Sequence, residues 1–223
     1  MSVPAHAQSC WMGTVGDFVF GTTSSAASTD TSLNISYTCQ SNNAATYFKV
    51  CMFLAEGSPI SGVNPRWMTN YNGAQMQYNL YSDAARTQIV GPPPSGGGYS
   101  GLEAGFVVPA GNMKLTPSFT VYGRVPAGQS LPATHGFQSQ LNGSALYWAW
   151  SNTATPASCT SGTGANSQIF YTGVKATAPS GCSIALSKPA DLDFGSTALL
   201  AANRDSPTTI SLSCPGTTSW KMG

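Results

Sequence analysis

Six cysteines are the residues of this chain whose chemistry is most constrained by their spacing. No two of them form a Cys-x-x-Cys pair, the spacing that many zinc sites and thiol redox motifs use. An even number of cysteines without that pair favours disulfide bonds, which form and persist in oxidising compartments. The cysteines therefore predict a secreted chain whose fold is cross-linked.

Side chains suited to catalysis or metal binding are sparse. His135 lies in a Pro-Ala-Thr-His-Gly loop without an acidic residue nearby, and His6 precedes the predicted start of the mature chain. There is no Gly-x-Ser-x-Gly nucleophile elbow and no His-Glu-x-x-His pair. Asp191 and Asp193 are close in sequence, but Asp193 falls at a repeated strand-turn position. We expect no catalytic residue, no metal site and no cofactor, and hence no enzyme.

The composition excludes two kinds of partner. Charged residues make up 8% of the 223 residues and the formal net charge is +1, whereas an average globular domain has about 25% charged residues. The nine Lys and Arg are scattered singly and cannot gather the positive potential that nucleic acid binding needs. No apolar run approaches the roughly 20 residues of a membrane-spanning helix. We therefore expect neither nucleic acid nor a membrane span.

The first residues are typical of the end of a secretory signal. Pro4-Ala5-His6-Ala7 followed by Gln8 has the small-x-small pattern of a cleavage site. The sequence predicts a mature chain that starts at Gln8.

A partial internal repeat organises the chain. In each copy a cysteine precedes an Asp-Phe segment that ends at a glycine, and a second strand closes at another cysteine, 29 residues after the first in one copy and 32 in the other. The repeat and the parity of the remaining cysteines predict three bridges: Cys10 to Cys39, Cys51 to Cys159 and Cys182 to Cys214. The Ala-Pro-Ser-Gly segment at 178–181 is a turn-forming linker. It divides the chain into a first domain over residues 8–178 and the start of a truncated domain over residues 182–223.

The second segment is too short to bury a core of its own. Two strands leave their apolar positions uncovered. We therefore expect a partner or the first domain to hold residues 182–223, whose uncovered apolar side chains are Ile184, Leu186, Phe194, Ile210 and Leu212.

Apolar alternation predicts β-strands throughout the first domain. In residues 47–54 the side chains of Phe48, Val50, Met52 and Leu54 fall on one face, the period-two pattern of a sandwich strand. Further strands are predicted at residues 75–81, 117–124, 144–150 and 169–176, between clusters of Gly, Pro and Asn. The pattern predicts an all-β fold, an antiparallel immunoglobulin-like β-sandwich without an amphipathic helix.

Two blocks resemble the spore coat protein U domain. They are Gln-Tyr-Asn-Leu-Tyr-Ser-Asp-Ala-Ala-Arg-Thr at residues 77–87 and Val-Tyr-Gly-Arg-Val-Pro-Ala-Gly-Gln at residues 121–129. That family includes subunits of archaic chaperone–usher pili of the Csu type. Two such domains in tandem are the layout of a tip adhesin, so the resemblance implies a surface-binding adhesin domain followed by an incomplete pilin-like β-sandwich.

The resemblance also implies partners. The pilin domain would lack its last strand, which a periplasmic pilus chaperone and, after the usher, the neighbouring subunit supply by donor-strand complementation, a form of β-augmentation. A donating subunit needs an extension of about ten residues to add such a strand, whereas only Gln8 and Ser9 would precede Cys10. We therefore expect a chain secreted through the periplasm to the cell surface, at the tip of the pilus.

The chain departs from the family pattern in two enlarged loops, residues 91–102 and 130–168. The run of three prolines at 92–94 and the run of three glycines at 96–98 in the first loop cannot pair as a central strand. Exposed apolar loops bind by burying apolar area, which suits an abiotic hydrophobic surface. The expected binding residues are Pro92, Pro93, Pro94, Tyr99, Leu102, Leu131, Pro132, Phe137, Leu146, Tyr147, Trp148 and Trp150.

Three alternatives stay open at this point. In the first alternative, Trp148 and Trp150 are core residues rather than binding residues, and the sequence favours neither role over the other. A lectin-like domain would stack Trp148, Trp150 or Tyr99 on a sugar of a host receptor, and a structural coat or pilus subunit would polymerise through an N-terminal extension. Because the last strand runs toward the linker, adhesion is expected on the loops at the opposite end: residues 92–102, 131–137 and 147–150.

Overall fold

The computed structural model describes residues 8–60, 62–93, 98–131, 136–162 and 164–178, and the backbone of residues 183–185 and 211–213. These residues contain fifteen β-strands and no helix, which confirms the predicted all-β class. The strands are β1 (Ser9–Met12), β2 (Phe18–Thr22), β3 (Thr29–Gln40), β4 (Thr46–Phe53), β5 (Arg66–Thr69), β6 (Gln75–Tyr81), β7 (Leu102–Val108), β8 (Lys114–Leu115), β9 (Ser118–Val125), β10 (Gly136–Gln140), β11 (Ser144–Ser151), β12 (Asn166–Phe170), β13 (Gly173–Thr177), β14 (Ser183–Ala185) and β15 (Ser211–Ser213).

Two sheets build the body of the molecule. A nine-stranded sheet has the order β1-β3-β9-β6-β5-β10-β13-β2, with β8 also paired to β3, and a four-stranded sheet has the order β12-β11-β4-β7. Strands β14 and β15 form a separate antiparallel pair. Most strand pairs are antiparallel, as predicted, but β2 runs parallel to β13, and Val90 and Ser100 form an isolated parallel bridge.

The nine-stranded sheet curls back on itself. The Thr31 hydroxyl of β3 donates to the Val19 carbonyl of β2 at 2.9 Å, so the end strand β2 lies beside β3. Gly123 of β9 faces Phe20 of β2 at the same place. Curling lets apolar side chains of β2, β3 and β9 face the same interior.

The core lies inside the curled sheet and between it and the four-stranded sheet. In β4 the predicted alternation holds, because Phe48, Val50, Met52 and Leu54 are all fully buried in one cluster. Phe106 stacks on Phe48 with ring centroids 5.9 Å apart.

One predicted strand is two. Residues 169–176 split into β12, which pairs with β11 in the four-stranded sheet, and β13, which pairs with β10 and β2. The chain changes sheet at Tyr171 and Thr172, where the Thr172 hydroxyl donates to the Gly16 carbonyl at 2.7 Å. The Gly173 amide donates to Asp17 Oδ1 at 2.8 Å. These two hydrogen bonds pair backbone groups at the point where the chain leaves the four-stranded sheet and joins the nine-stranded sheet.

Two of the three expected disulfides are present, Cys10–Cys39 and Cys51–Cys159. The first joins directly opposed residues of β1 and β3. The third expected bridge, Cys182 to Cys214, lies outside the described residues. The division into two domains stays a prediction.

We expect Gly123→Ala to lower the free energy of unfolding by about 1–3 kcal/mol, the usual cost of overpacking. A Cβ at this position would lie 2.8 Å from Phe20 Cζ and 3.0 Å from Thr31 Cγ2. Urea denaturation followed by circular dichroism measures the change. Gly13→Ala is the matched control, since nothing lies within 4 Å of a Cβ there. Equal stabilities of the two variants would contradict close packing of β2 on β9.

The part of the chain that the structure describes includes no helix that is apolar and long enough to cross a membrane.

Candidate functional site

Strand β3 gives the molecule a long axis. Its 12 residues span about 40 Å at 3.3 Å per residue. At its start Thr29 pairs with Val125, and the Thr23 amide of the neighbouring segment donates to the Thr177 carbonyl at the end of β13. We call this the linker end, because the chain leaves β13 there toward residues 179–223.

The opposite end of β3 is called the distal end. Beyond Gln40, the amide of Ser41 donates to the Met113 carbonyl and the Gly111 amide donates to the Asn42 carbonyl. The Asn152 side-chain amide reaches the Ala45 carbonyl at 2.9 Å. Three connections therefore meet here: residues 41–45, 109–113 and 152–153.

Five expected binding residues are core residues, and the expectation that they are exposed is wrong. Each lies on the inward side of a strand or under a loop, because burying it removes apolar area from water. They are Leu102, Leu131, Phe137, Leu146 and Trp148, all less than a tenth exposed. For Trp148 the alternative of ordinary core packing is correct.

Two further aromatics of the set are half-buried. Tyr147 faces outward from β11 but packs edge-on against Phe53, with ring centroids 5.7 Å apart, beside the Cys51–Cys159 bridge. Trp150 packs against the main core, and Gly164 crosses its indole so closely that a Cβ there would lie 2.4 Å from Nε1. Neither ring projects freely into solvent.

The expected positions of two loops also need correction. Gly136 pairs with Thr177, so Gly136 and Phe137 lie at the linker end and not at the distal end. The loop 92–102 begins beside Leu54, whose amide donates to the Gly91 carbonyl at 2.9 Å. Gly91 and Leu102 therefore lie where β4 ends, away from the distal connections. We call this region, with the described residues 91–93 and 98–102, the flank.

The flank loop retains some exposed apolar surface. Tyr99 is 38% exposed and packs over Gly91, while Pro92 and Pro93 are half-buried. Pro94 and Pro132 lie outside the described residues. Of the residues expected from sequence, Tyr99 is the one that the structure exposes most.

A buried arginine fixes the start of this flank loop. Arg66 is fully buried, and its Nη2 donates to the carbonyls of Leu54 at 2.9 Å and Val90 at 2.8 Å. Its Nε donates to the Ala55 carbonyl at 3.1 Å. The side chain thus ties the end of β4 to the residue that precedes the loop. Sequence analysis missed it, because an arginine without an acidic neighbour gives no signal of burial.

Burial lowers the pKa of Arg66 to about 10, while nearby Tyr78 and Glu56 raise it. The guanidinium therefore stays charged at neutral pH. Three charge-assisted hydrogen bonds to carbonyls compensate part of the cost of burying that charge.

The distal end carries an apolar surface that sequence analysis did not identify. Strands β7 and β8 are joined by the turn at residues 109–113, and exposed apolar side chains flank it. Strand β7 pairs with β4 and β8 pairs with β3, so this chain reversal connects the two sheets. We name this chain reversal the distal hairpin; its exposed apolar residues are Val107, Met113 and Leu115, which are 44%, 52% and 42% exposed. The Pro-Ala-Gly-Asn sequence at 109–112 is a turn signal that could have revealed the hairpin.

Buried hydrogen bonds hold this turn in one conformation. The fully buried Ser41 hydroxyl donates to the Pro109 carbonyl and accepts from the Met113 amide at 3.1 Å. Asn112 adopts a φ of 59°, which asparagine tolerates better than most residues. A turn fixed at both ends presents Met113 without a large loss of conformational freedom on binding.

The surroundings of the distal hairpin carry little charge. The Lys114 ammonium lies over the Trp11 ring, 5.4 Å from its centroid. Lys49 and Glu103, on the outer face of the four-stranded sheet, neutralise each other at 2.6 Å. In the described ranges no three His, Cys, Asp or Glu side chains lie close enough together to hold a metal ion. The chemistry available to this surface is therefore apolar contact.

Residues 1–135 match the family described as Spore Coat Protein U domain. None of the curated protein sequences matches the chain significantly.

Among solved structures the chain is similar to three proteins. They are the CupB6 tip adhesin from Pseudomonas aeruginosa (9% identity, TM-score 0.36, 78% of this chain and 44% of that one), the PapD-like domain 7 of human CEP192 (5% identity, TM-score 0.30, 80% and 90%) and the Ambient Temperature Fimbriae adhesin AtfE of Proteus mirabilis (11% identity, TM-score 0.27, 75% and 97%). The chain thus spans less than half of the CupB6 chain. At these TM-scores the likenesses carry no argument about detail or function.

Proposed function

The chain belongs to the Spore Coat Protein U domain family, and from this premise we propose that it is a surface-binding subunit of a chaperone–usher pilus, the tip adhesin. Its partners would be a periplasmic chaperone, the usher and a neighbouring subunit, which complements residues 182–223 with a donor strand. Its place would be the pilus tip at the cell surface, and its function would be adhesion rather than catalysis.

The observation that carries the proposal is the position of the distal hairpin. Val107, Met113 and Leu115 are exposed at the end opposite to the one where the chain leaves β13. In a fibre that continues from the linker, the distal end would face outward. An apolar surface with Lys114 as its adjacent charge suits an abiotic hydrophobic material.

The expected free energy of binding to a surface is modest for each adhesin molecule. Full burial of an exposed Val, Leu or Met side chain contributes about 1.5–3 kcal/mol. Because the three side chains are already about half buried, the distal hairpin could supply about 2–5 kcal/mol before the costs of association. Many pili on one cell would add their contacts by multivalency. Tyr99 with Pro92 and Pro93 remains a proposed second contact on the flank.

We expect the double variant Met113→Ser, Leu115→Ser to retain pilus assembly and to lose binding to polystyrene. The two side chains together contribute about 3–6 kcal/mol when buried, so even half of that amount lowers the binding constant more than about tenfold. Retention of piliated cells on polystyrene, with surface pili quantified by immunoblot, measures the effect.

The matched control replaces Ile169 and Tyr171 with Ser, two exposed apolar residues away from the hairpin turn. Tyr99→Ser tests the flank separately. Loss of binding with Tyr99→Ser alone would move the site to the flank. Full binding by both the hairpin and the flank variants, with normal assembly, would show that adhesion does not use these apolar surfaces.

A further inference from the structure

A shallow groove lies on the outer face of the nine-stranded sheet at the linker end, with a volume of about 340 Å³. Val19 of β2 and Tyr71 of the β5–β6 turn form its walls, 58% and 77% exposed. Phe137 and Ala176, both buried, contribute to its floor. The groove is separate from the distal hairpin and from the flank.

Two glycines keep the groove open. Gly136 starts β10 and Gly21 lies near the end of β2, and both line the groove. A Cβ at Gly136 would meet only ordinary contacts, the nearest being the Ala176 carbonyl oxygen at 3.7 Å, and nothing lies within 4 Å of a Cβ at Gly21. A Cβ would therefore fit at both positions without disturbing the packing of the domain, so that packing does not require the groove.

The charge at the groove is neutralised. Lys175, the cation in the lining, pairs with Asp17 at 2.5 Å, and this hydrogen bond lowers the pKa of Asp17. The other lining side chains are apolar or uncharged. Such a lining favours apolar polypeptide side chains over an anionic ligand.

The chain itself supplies an occupant at the right place. Thr177, the last residue of β13, lines the groove, and 45 residues (223 minus 178) follow the buried Ala178. Residues 179–186 can span up to about 26 Å when extended, and Thr177 just before them already lines the groove. A short tether gives an effective concentration in the millimolar range, so weak apolar contacts suffice.

We propose that this groove is the docking site for the chain's own C-terminal segment, residues 179–223, whose apolar side chains fill it. The sequence of that segment contains more apolar residues than two strands can cover. Docking would cover some of these apolar residues, and a donor strand could still cover the others. It would also close the part of the outer face of β2 and β13 that lines the groove. The proposal does not depend on whether the protein is an adhesin.

Filling the groove tests the proposal in the full chain. Gly136→Leu places an isobutyl group in the hollow, and Gly13→Leu is the control, since Gly13 is exposed with open space around it. With Gly136→Leu we expect hydrogen exchange at residues 183–185 and 211–213 to rise more than about tenfold, equivalent to a loss of 1.4 kcal/mol of docking free energy. Unchanged exchange, with β10 and β13 still protected, would overturn the proposal.

A photo-crosslinker identifies the occupant directly and serves also if Gly136→Leu fails to fold. With p-benzoylphenylalanine in place of Tyr71, we expect cross-linked peptides from residues 179–223 of the same molecule, in a yield independent of protein concentration. Cross-links between two molecules that grow with concentration would mean that a second copy occupies the groove, and the proposal would be wrong. Absence of any cross-link to residues 179–223 would also overturn it.

Discussion

Replacing Arg66 with alanine is expected to lower the free energy of unfolding by about 3–5 kcal/mol. The variant removes three hydrogen bonds and leaves the buried carbonyls of Leu54, Ala55 and Val90 without their donors. It also opens a cavity where a fully buried side chain was. Urea denaturation with intact disulfides, followed by circular dichroism, measures the loss.

Arg124→Ala is the matched control. Arg124 makes two hydrogen bonds to Asp30, at 2.8 and 2.9 Å, but on the exposed surface, where such a pair contributes less than about 1 kcal/mol. Arg66→Met separates packing from hydrogen bonding, because it fills much of the volume without donating. If Arg66→Met were as stable as the parent, the three hydrogen bonds would not be the source of the stability.

Removal of the Cys51–Cys159 bridge is expected to destabilise the domain by about 4–5 kcal/mol in the chain-entropy model. The bridge closes a loop with a sequence separation of 108 residues. It also holds residues 152–165 over the outer face of the four-stranded sheet, where Phe53 and Tyr147 pack beside the sulfurs. The paired substitution Cys51→Ala, Cys159→Ala, measured by urea denaturation, tests this estimate.

The Cys10–Cys39 bridge is the natural comparison. Its sequence separation is 29 residues, so the same model predicts a loss smaller by about 1 kcal/mol. The double alanine variant at residues 10 and 39 should therefore unfold at a higher urea concentration than the variant at residues 51 and 159. The reverse order would mean that contacts of β1, rather than loop closure, dominate.

Local patterns predicted the strands well. Alternation in residues 47–54 identified β4 and its buried face, and the predicted strand at residues 75–81 has the same bounds as β6. The internal repeat predicted Cys10 to Cys39, because a similar spacing of 29 and 32 residues in the two copies implies the same pair of strands. These features depend on neighbours in sequence, which the sequence displays directly.

Burial could not be predicted in the same way. Leu102 follows a Gly- and Pro-rich run, yet it begins β7 opposite Met52, a residue 50 positions earlier. Phe137 follows a proline loop, yet it is buried in β10 against β13. Whether an apolar residue beside a turn is a core residue or a contact residue depends on distant strands. Alternation also continues through residues 169–176, so it cannot reveal that the chain changes sheet there.

The arrangement around β13 has a mechanical consequence. A force that pulls the distal end away from the linker would act along the axis of β13, because the chain continues from Thr177, the last residue of that strand, toward the linker. Strand β13 is bonded on one side to β10 and on the other to the parallel strand β2. Tension would therefore load both rows of hydrogen bonds in shear, so that several must break together. A terminal strand paired on one side and pulled sideways would instead unzip one bond at a time, at lower force.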